Sequence, residues 1–232
     1  MKAAIIPARG GSKRIPRKNI RPFAGRPIIH HVIATARASG LFDRIVVSTD
    51  DAEIAEVARA GGAETPFARP ASIADAHADT ASVIAHALRS LAEGGTPVTL
   101  ACCLYPTAPM VQAGDLAAAL ALIEGDAGVD YAFSAARFSY PVQRGFERTA
   151  DGGVVPLYPE HRLTRSQDLP PVYHDAGQFY WGRADAWEQG RPIFSAASRI
   201  VELPPWRTQD IDTEEDWQMA ERLFALANAQ DH

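Results

Sequence analysis

Cysteine is nearly missing from this chain of 232 residues. The two present, Cys102 and Cys103, are adjacent, so on an extended segment they point to opposite faces and form neither a disulfide framework nor a metal cluster. No stretch approaches the ~20 consecutive apolar residues of a membrane-spanning helix, and no apolar h-region follows Met1, so a cytoplasmic location and no membrane partner are expected. G-x-x-x-x-G-K-[ST] and G-x-G-x-x-G are both absent, which removes the two commonest glycine-rich nucleotide loops. No internal repeat is visible. The most informative absence is local. Residues 1–42 hold no Asp or Glu but nine of the 23 Lys and Arg, leaving 14 cations against 28 acids and a net −14 in residues 43–232, where the whole chain carries −5. A nucleic-acid binder spreads basic charge over a face; an acidic chain that gathers its cations on one loop is suited to a small polyanion. A transit peptide would be an amphipathic helix, which Pro7, Pro16 and Pro22 exclude.

Lys2 to Pro7 is short, apolar and bounded by turn residues, as a buried parallel strand is, and Ala8 to Pro27 is rich in turn residues. Gly10 and Gly11 permit close backbone approach and can turn successive N–H groups toward an anion. Ile28, Ile29, Val32, Ile33 and Ala36 recur with helical period before Gly40, with His30 and His31 read as ordinary packed or surface histidines. Arg44 to Thr49 predicts a second strand and Asp50-Asp51 the start of a helix over residues 52–60. Asp79 or Thr80 can cap a helix carrying Val83, Ile84, Ala87, Leu88 and Leu91. Pro97 to Leu104 reads as a central strand ending in the rigid turn Tyr105 to Pro109, Asp115 to Glu124 as a helix and Asp130 to Ala136 as a strand. This alternation predicts an α/β fold with a mostly parallel sheet flanked by helices, in one domain over residues 1–232. From about 137 to 199 the rhythm fails among Pro141, Pro156, Pro159, Pro170 and Pro171, and an irregular insertion of turns and short strands is expected. Arg199 to Leu203 is a last strand, and Thr213 an N-cap for a helix with Trp217, Ala220, Phe224 and Ala227 on one side. Just before it Asp210 and Asp212 flank Ile211, a spacing that suits two Mg²⁺ ligands and equally suits acids capping the helix.

The run Ile6, Ala8, Arg9, Ser12, Lys13, Lys18, Asn19 resembles, position by position, the I-x-A-R-x-x-S-K-x-x-x-x-K-N signature of the cytidylyltransferases that activate acidic nine-carbon sugars, the CMP-sialic acid synthetase family. Arg69-Pro70 followed by Asp79-Thr80-Ala81-Ser82, Arg165-Ser166-Gln167-Asp168-Leu169-Pro170, Asp175 to Tyr180 and Ile211-Asp212-Thr213 resemble further elements, so the likeness covers nearly the whole chain. It implies a nucleotide-diphosphosugar-transferase-like fold in which the Asp210–Asp212 turn lies near the first loop. The implied reaction is attack of an acidic sugar's anomeric hydroxyl on the α-phosphate of CTP, with pyrophosphate leaving. It implies Arg9 and Lys18 as the catalytic cations on the phosphates, Gly10, Gly11 and Ser12 in the phosphate loop, and Asn19 with the backbone at Ala8 holding cytidine. Ser82 would approach the nucleotide, and Asp210 and Asp212 would bind Mg²⁺. Such a transfer needs positioning and charge neutralisation more than covalent help, and no general base is assigned. The resemblance also implies a homodimer whose 137–199 insertion borders the partner's sugar site, with Pro192-Ile193-Phe194 as its apolar contact.

Departures point to the sugar. The family's L-Q-P-T-S-P is here Leu104-Tyr105-Pro106-Thr107-Ala108-Pro109, a ring in place of an amide, and Gln143 stands where the family has Lys. With Gln178, Tyr180 and Phe194, these residues predict a less polar sugar pocket, suited to a deoxygenated diacylamino nine-carbon acid with a C-methyl end. Legionaminic acid as the nearest competitor, N-acetylneuraminic acid, an eight-carbon acid, or a nucleotide-binding regulator without turnover are the alternatives.

Overall fold

The computed structural model describes residues 1–74 and 79–229. Chain order begins with β1 (Lys2–Pro7), whose middle four residues are buried as its unbroken apolar run requires. A small hairpin, β2 (Pro22–Phe23) and β3 (Arg26–Pro27), leads into α1 (Ile28–Ser39), which Gly40 ends in the left-handed conformation. β4 (Arg44–Ser48), α2 (Ala52–Ala60), α3 (Thr80–Glu93), β5 (Leu100–Leu104), α4 (Ala113–Glu124) and β6 (Tyr131–Arg137) follow, with Asp51 and Asp79 capping α2 and α3 through their carboxylates. The chain ends with the hairpin β7 (Phe146–Arg148) and β8 (Val154–Pro156), then β9 (Tyr173–Arg183), α5 (Ala184–Glu188), β10 (Ser198–Glu202) and α6 (Glu214–Ala229).

The central sheet has the order β10-β6-β9-β5-β1-β4, with β9 antiparallel to both neighbours and the other five strands parallel. Adjacent residues serve opposite faces. Ala4, Ile6, Cys102 and Trp181 pack under α1 and α4, while Ile5, Cys103 and Tyr180 pack under α3 and Trp187. Both thiols are free and buried, and burial pushes both above their usual value. A third cluster positions the site: Ile15 and Phe23 of the first loop pack with Ile28, Ile211, Trp217 and Ala220, tying that loop to the Asp210–Asp212 turn and α6. His31 is buried there against the Phe23 carbonyl at 2.9 Å, and His30 bonds the Val57 carbonyl at 2.8 Å, so both histidines are packing residues.

One expectation is corrected. Only turns and short strands are expected from about 137 to 199, yet β9, 11 residues long, lies within that segment and runs between β5 and β6. Its pattern is hidden by a bulge at Gly177, whose φ of 60° belongs to the left-handed region, opposite a register shift between Phe133 and Ala135. Ser134 Oγ there accepts the Gln178 and Phe179 N–H groups at 3.3 and 3.2 Å. No described helix is long and apolar enough to cross a membrane.

Candidate active site

A cleft of about 590 Å³ opens at the carboxyl ends of β1 and β5, the edge where open α/β sheets place ligands. Arg9, Ser12, Lys13, Arg14, Lys18 and Asn19 from the first loop form one side; Tyr105, Pro106 and Thr107 after β5 form another. Arg69, Thr80, Val83 and Asp212 complete it.

The loop is shaped by acids from elsewhere in the chain. Gly10 N–H donates to Asp50 Oδ1 at 3.0 Å, and a Cβ on Gly10 would lie 2.6 Å from Asp51 Oδ2, so any side chain here would displace the Asp51 carboxylate. Its N–H is therefore committed to Asp50; Gly11 beside it faces open space. Ala8 is wholly buried, with its N–H on the Ser48 carbonyl. Asn19 is buried too and donates to the Arg9 carbonyl at 2.9 Å, fixing the loop's two ends together. Lys18 Nζ reaches the Ile211 carbonyl at 2.6 Å and Asp212 Oδ1 at 3.3 Å, and Arg14 pairs with Asp212 Oδ2 at 2.8 Å.

The Asp210–Asp212 turn is anchored behind. Asp216 accepts the Asp212 and Thr213 N–H groups at 3.1 and 2.8 Å, and Thr213 Oγ1 accepts the Asp216 N–H, a reciprocal cap at the start of α6. Asp212 lines the cleft; Asp210, across Ile211, has its carboxyl held above the usual range by desolvation and then by the charge of Asp212. Two hard oxygen donors, Asp210 held above the usual range in part by the charge of Asp212, beside a phosphate loop, fit Mg²⁺. Among the described residues no group of three or more His, Cys, Asp and Glu could hold a metal, so phosphate oxygens and water would complete its shell.

At the turn's base Arg207 is buried and forks onto Asp115 of α4 with contacts of 2.5 and 3.1 Å. Asp115→Ala would leave that guanidinium buried and unpaired, an expected loss of about 3–5 kcal/mol and a Tm drop of roughly 10 °C in thermal unfolding. A drop of under about 2 °C would contradict the anchoring role.

The proposed sugar residues divide. Tyr105 lines the cleft, its hydroxyl 2.9 Å from Thr80 Oγ1 and pushed up to about 12, chiefly by burial. Tyr180 is buried behind it, ring centroids 5.6 Å apart, with its hydroxyl on Asp175. Gln178 is buried with its amide nitrogen on the Arg207 carbonyl, and Gln143 with its own on the Pro170 carbonyl at 3.2 Å; neither lines the cleft. Phe194 is 67% exposed on the far side of Phe133, away from the cleft lining. Ser82 turns its hydroxyl back to the Asp79 carbonyl at 2.9 Å, while Thr80 and Val83, one helical step apart, face the cleft. Arg69 was missed as a site residue: it is 7% exposed, bonds Ser48 Oγ at 3.2 Å and lines the cleft. Its Arg69-Pro70 dipeptide was a signal, but nothing in a sequence marks one arginine among many as buried. Thr107 carries no separate signal beyond its place in the turn.

The family model described as Cytidylyltransferase matches residues 3–230. This chain belongs to that family. It is thus a nucleotidyltransferase. The pseudaminic acid cytidylyltransferase of Campylobacter jejuni is 42% identical over 223 residues, 96% of this chain and 95% of that one. The CMP-N,N'-diacetyllegionaminic acid synthase of Legionella pneumophila is 28% identical over 226 residues, 96% of each chain. Among solved structures, a CMP:2-keto-3-deoxy-manno-octonic acid synthetase complexed with CTP superposes with a TM-score of 0.72 at 18% identity, over 97% of this cytidylyltransferase and 99% of that chain, a likeness of fold.

Proposed function

We propose that this cytidylyltransferase transfers CMP from CTP to pseudaminic acid and releases pyrophosphate. The observation that carries it is the meeting in one cleft of the Arg9-to-Asn19 loop, Asp212 and the Tyr105 ring; the 42% identity along nearly the full length favours pseudaminic acid over its isomers. Arg9 and Lys18 neutralise phosphate charge that grows on the leaving group, and the buried Asn19 holds the loop in the shape that aims them. Asp210 and Asp212 hold Mg²⁺, which when bound supplies charge neutralisation at the phosphates. Tyr105 and Thr80 present one ring and two hydroxyls where the acceptor stands. Legionaminic acid is the nearest competitor because it is an isomer, differing from pseudaminic acid only in stereochemistry.

The test is kcat/KM for pseudaminic, legionaminic and N-acetylneuraminic acids with each of four NTPs. A preference of about tenfold or more for pseudaminic over N-acetylneuraminic acid, with CTP, is expected, since a pocket whose Tyr105 and Thr80 hydroxyls already pair with each other is short of partners for the extra hydroxyl groups. In Tyr105→Gln, which restores an amide, the margin over N-acetylneuraminic acid should narrow. Wild-type preference for N-acetylneuraminic acid would overturn the acceptor, and no pyrophosphate release with any acid would overturn turnover itself.

We infer also a homodimer. Supporting it, β7, β8 and the segment around them expose Phe146, Val154, Val155 and Leu157, each about half bare or more, with Tyr140 and Leu163 each 85% exposed. A two-stranded hairpin that exposes apolar side chains on both faces is marginal alone and gains by burial against a second copy. Light scattering should give twice the chain mass, and Phe146→Glu with Leu163→Glu should give monomers of lower activity; a fully active wild-type monomer would reject the shared site.

A further inference from the structure

We propose that Asp50 and Asp51, in the turn between β4 and α2, are positioning residues of the phosphate loop, acting through Gly10 and Arg17 on Lys18. The inference rests on the role given above to Lys18.

Three contacts support it. Asp50 accepts the Gly10 N–H, pinning the loop where it leaves β1. Asp51 takes both terminal guanidinium nitrogens of Arg17, at 2.5 and 3.0 Å, and Glu53 takes Nη2 at 2.5 Å. Arg17 itself has φ of 56°, a left-handed conformation rare for a residue with a long side chain. That conformation sends adjacent cations apart: Arg17 to the acids of α2, Lys18 to Asp212 across the cleft. A left-handed arginine is strained unless its surroundings hold it, and the fork onto Asp51 is what holds it here. The Arg17 guanidinium in turn keeps the Asp51 carboxyl down at about 2, so the pair stays ionised throughout the neutral range. Asp51 also caps α2 by accepting the Ile54 N–H at 3.0 Å, which makes the start of that helix the rigid post to which the loop is tied.

The test uses Asp51→Ser, which keeps a helix cap and loses the fork, Arg17→Asn, which tolerates the left-handed backbone and loses the fork, and their double variant. Expected are a kcat about tenfold lower in each single variant, from a misplaced Lys18, a KM for the acceptor acid within about twofold of wild type, and a double variant no worse than either single. Calorimetry should show CTP bound about fivefold or more weakly. Wild-type kcat and CTP affinity in both singles, or losses that multiply in the double, would overturn the proposal. So would a loss carried wholly by Tm and the acceptor KM, which marks general loosening. A wild-type protein that binds CTP but uses none of the acids overturns the proposed reaction instead, and CTP affinity of the variants then decides the positioning role.

Discussion

Asp212→Ala, and separately Asp210→Ala, should bring turnover in Mg²⁺ to about a hundredth of wild type or less, while thermal unfolding stays cooperative and moves little. The asymmetry follows from where the two carboxylates sit. Their backbone is held by Ile211 in the core and by Asp216 below, neither of which the substitutions touch. Asp212 faces the cleft with a third of its side chain exposed, and its loss takes one partner each from Arg14, itself well exposed, and from Lys18, which keeps the Ile211 carbonyl. Asp210 is held above the usual carboxylate range by desolvation and by Asp212. Such a pair is an unfavourable arrangement for the fold alone; a bound cation is what would relieve it. Activity and Tm must therefore separate. More than a tenth of wild-type activity surviving in both variants would remove these residues from the metal site.

How much of this could be seen beforehand depended on the range of the interaction involved. The strands β1, β4 and β5 were legible because their residues are buried on both faces, which leaves an unbroken apolar run that periodicity detects. Helices α1, α2 and α3 were legible from caps and stops: Gly40, Asp51 and Asp79 act over one turn of chain. β9 was not, because its alternation is broken by a bulge that only its pairing with β6 explains.

The same distinction runs through the site. The cationic loop was visible as a local excess of charge, yet the acids that shape it, Asp50 and Asp51, lie 40 and 34 residues from the groups they hold. Gln178 and Gln143 look like free amides in the sequence; burial and backbone carbonyl partners absorb their donors instead. Ser82 and Thr80 differ by two positions, which on a helix is the difference between facing away from the cleft and facing it. Arg69 is the reverse case, a cation whose value to the site comes from burial that depends on the packing of β4 and α3 around it.

Lys18→Ala is the variant in which these threads meet, and its kcat should fall by about 10²-fold, with a smaller rise in KM for CTP. The ammonium is largely enclosed, at 19% exposure, and the carbonyl of Ile211 and the carboxylate of Asp212 already hold it at the cleft wall. It therefore acts as a preorganised charge, and removing it deletes more stabilisation where phosphate charge grows in the transition state than in ground-state CTP. Lys18→Arg should recover little, because a planar fork cannot reproduce a compact ammonium lodged between one carbonyl and one carboxylate. Since Lys18 and Asp212 touch, the double variant Lys18→Ala with Asp212→Ala should lose less than the product of the separate losses. Were KM for CTP alone to rise, with kcat unchanged, Lys18 would be a binding residue and the catalytic cation would have to be sought at Arg9 or Arg69.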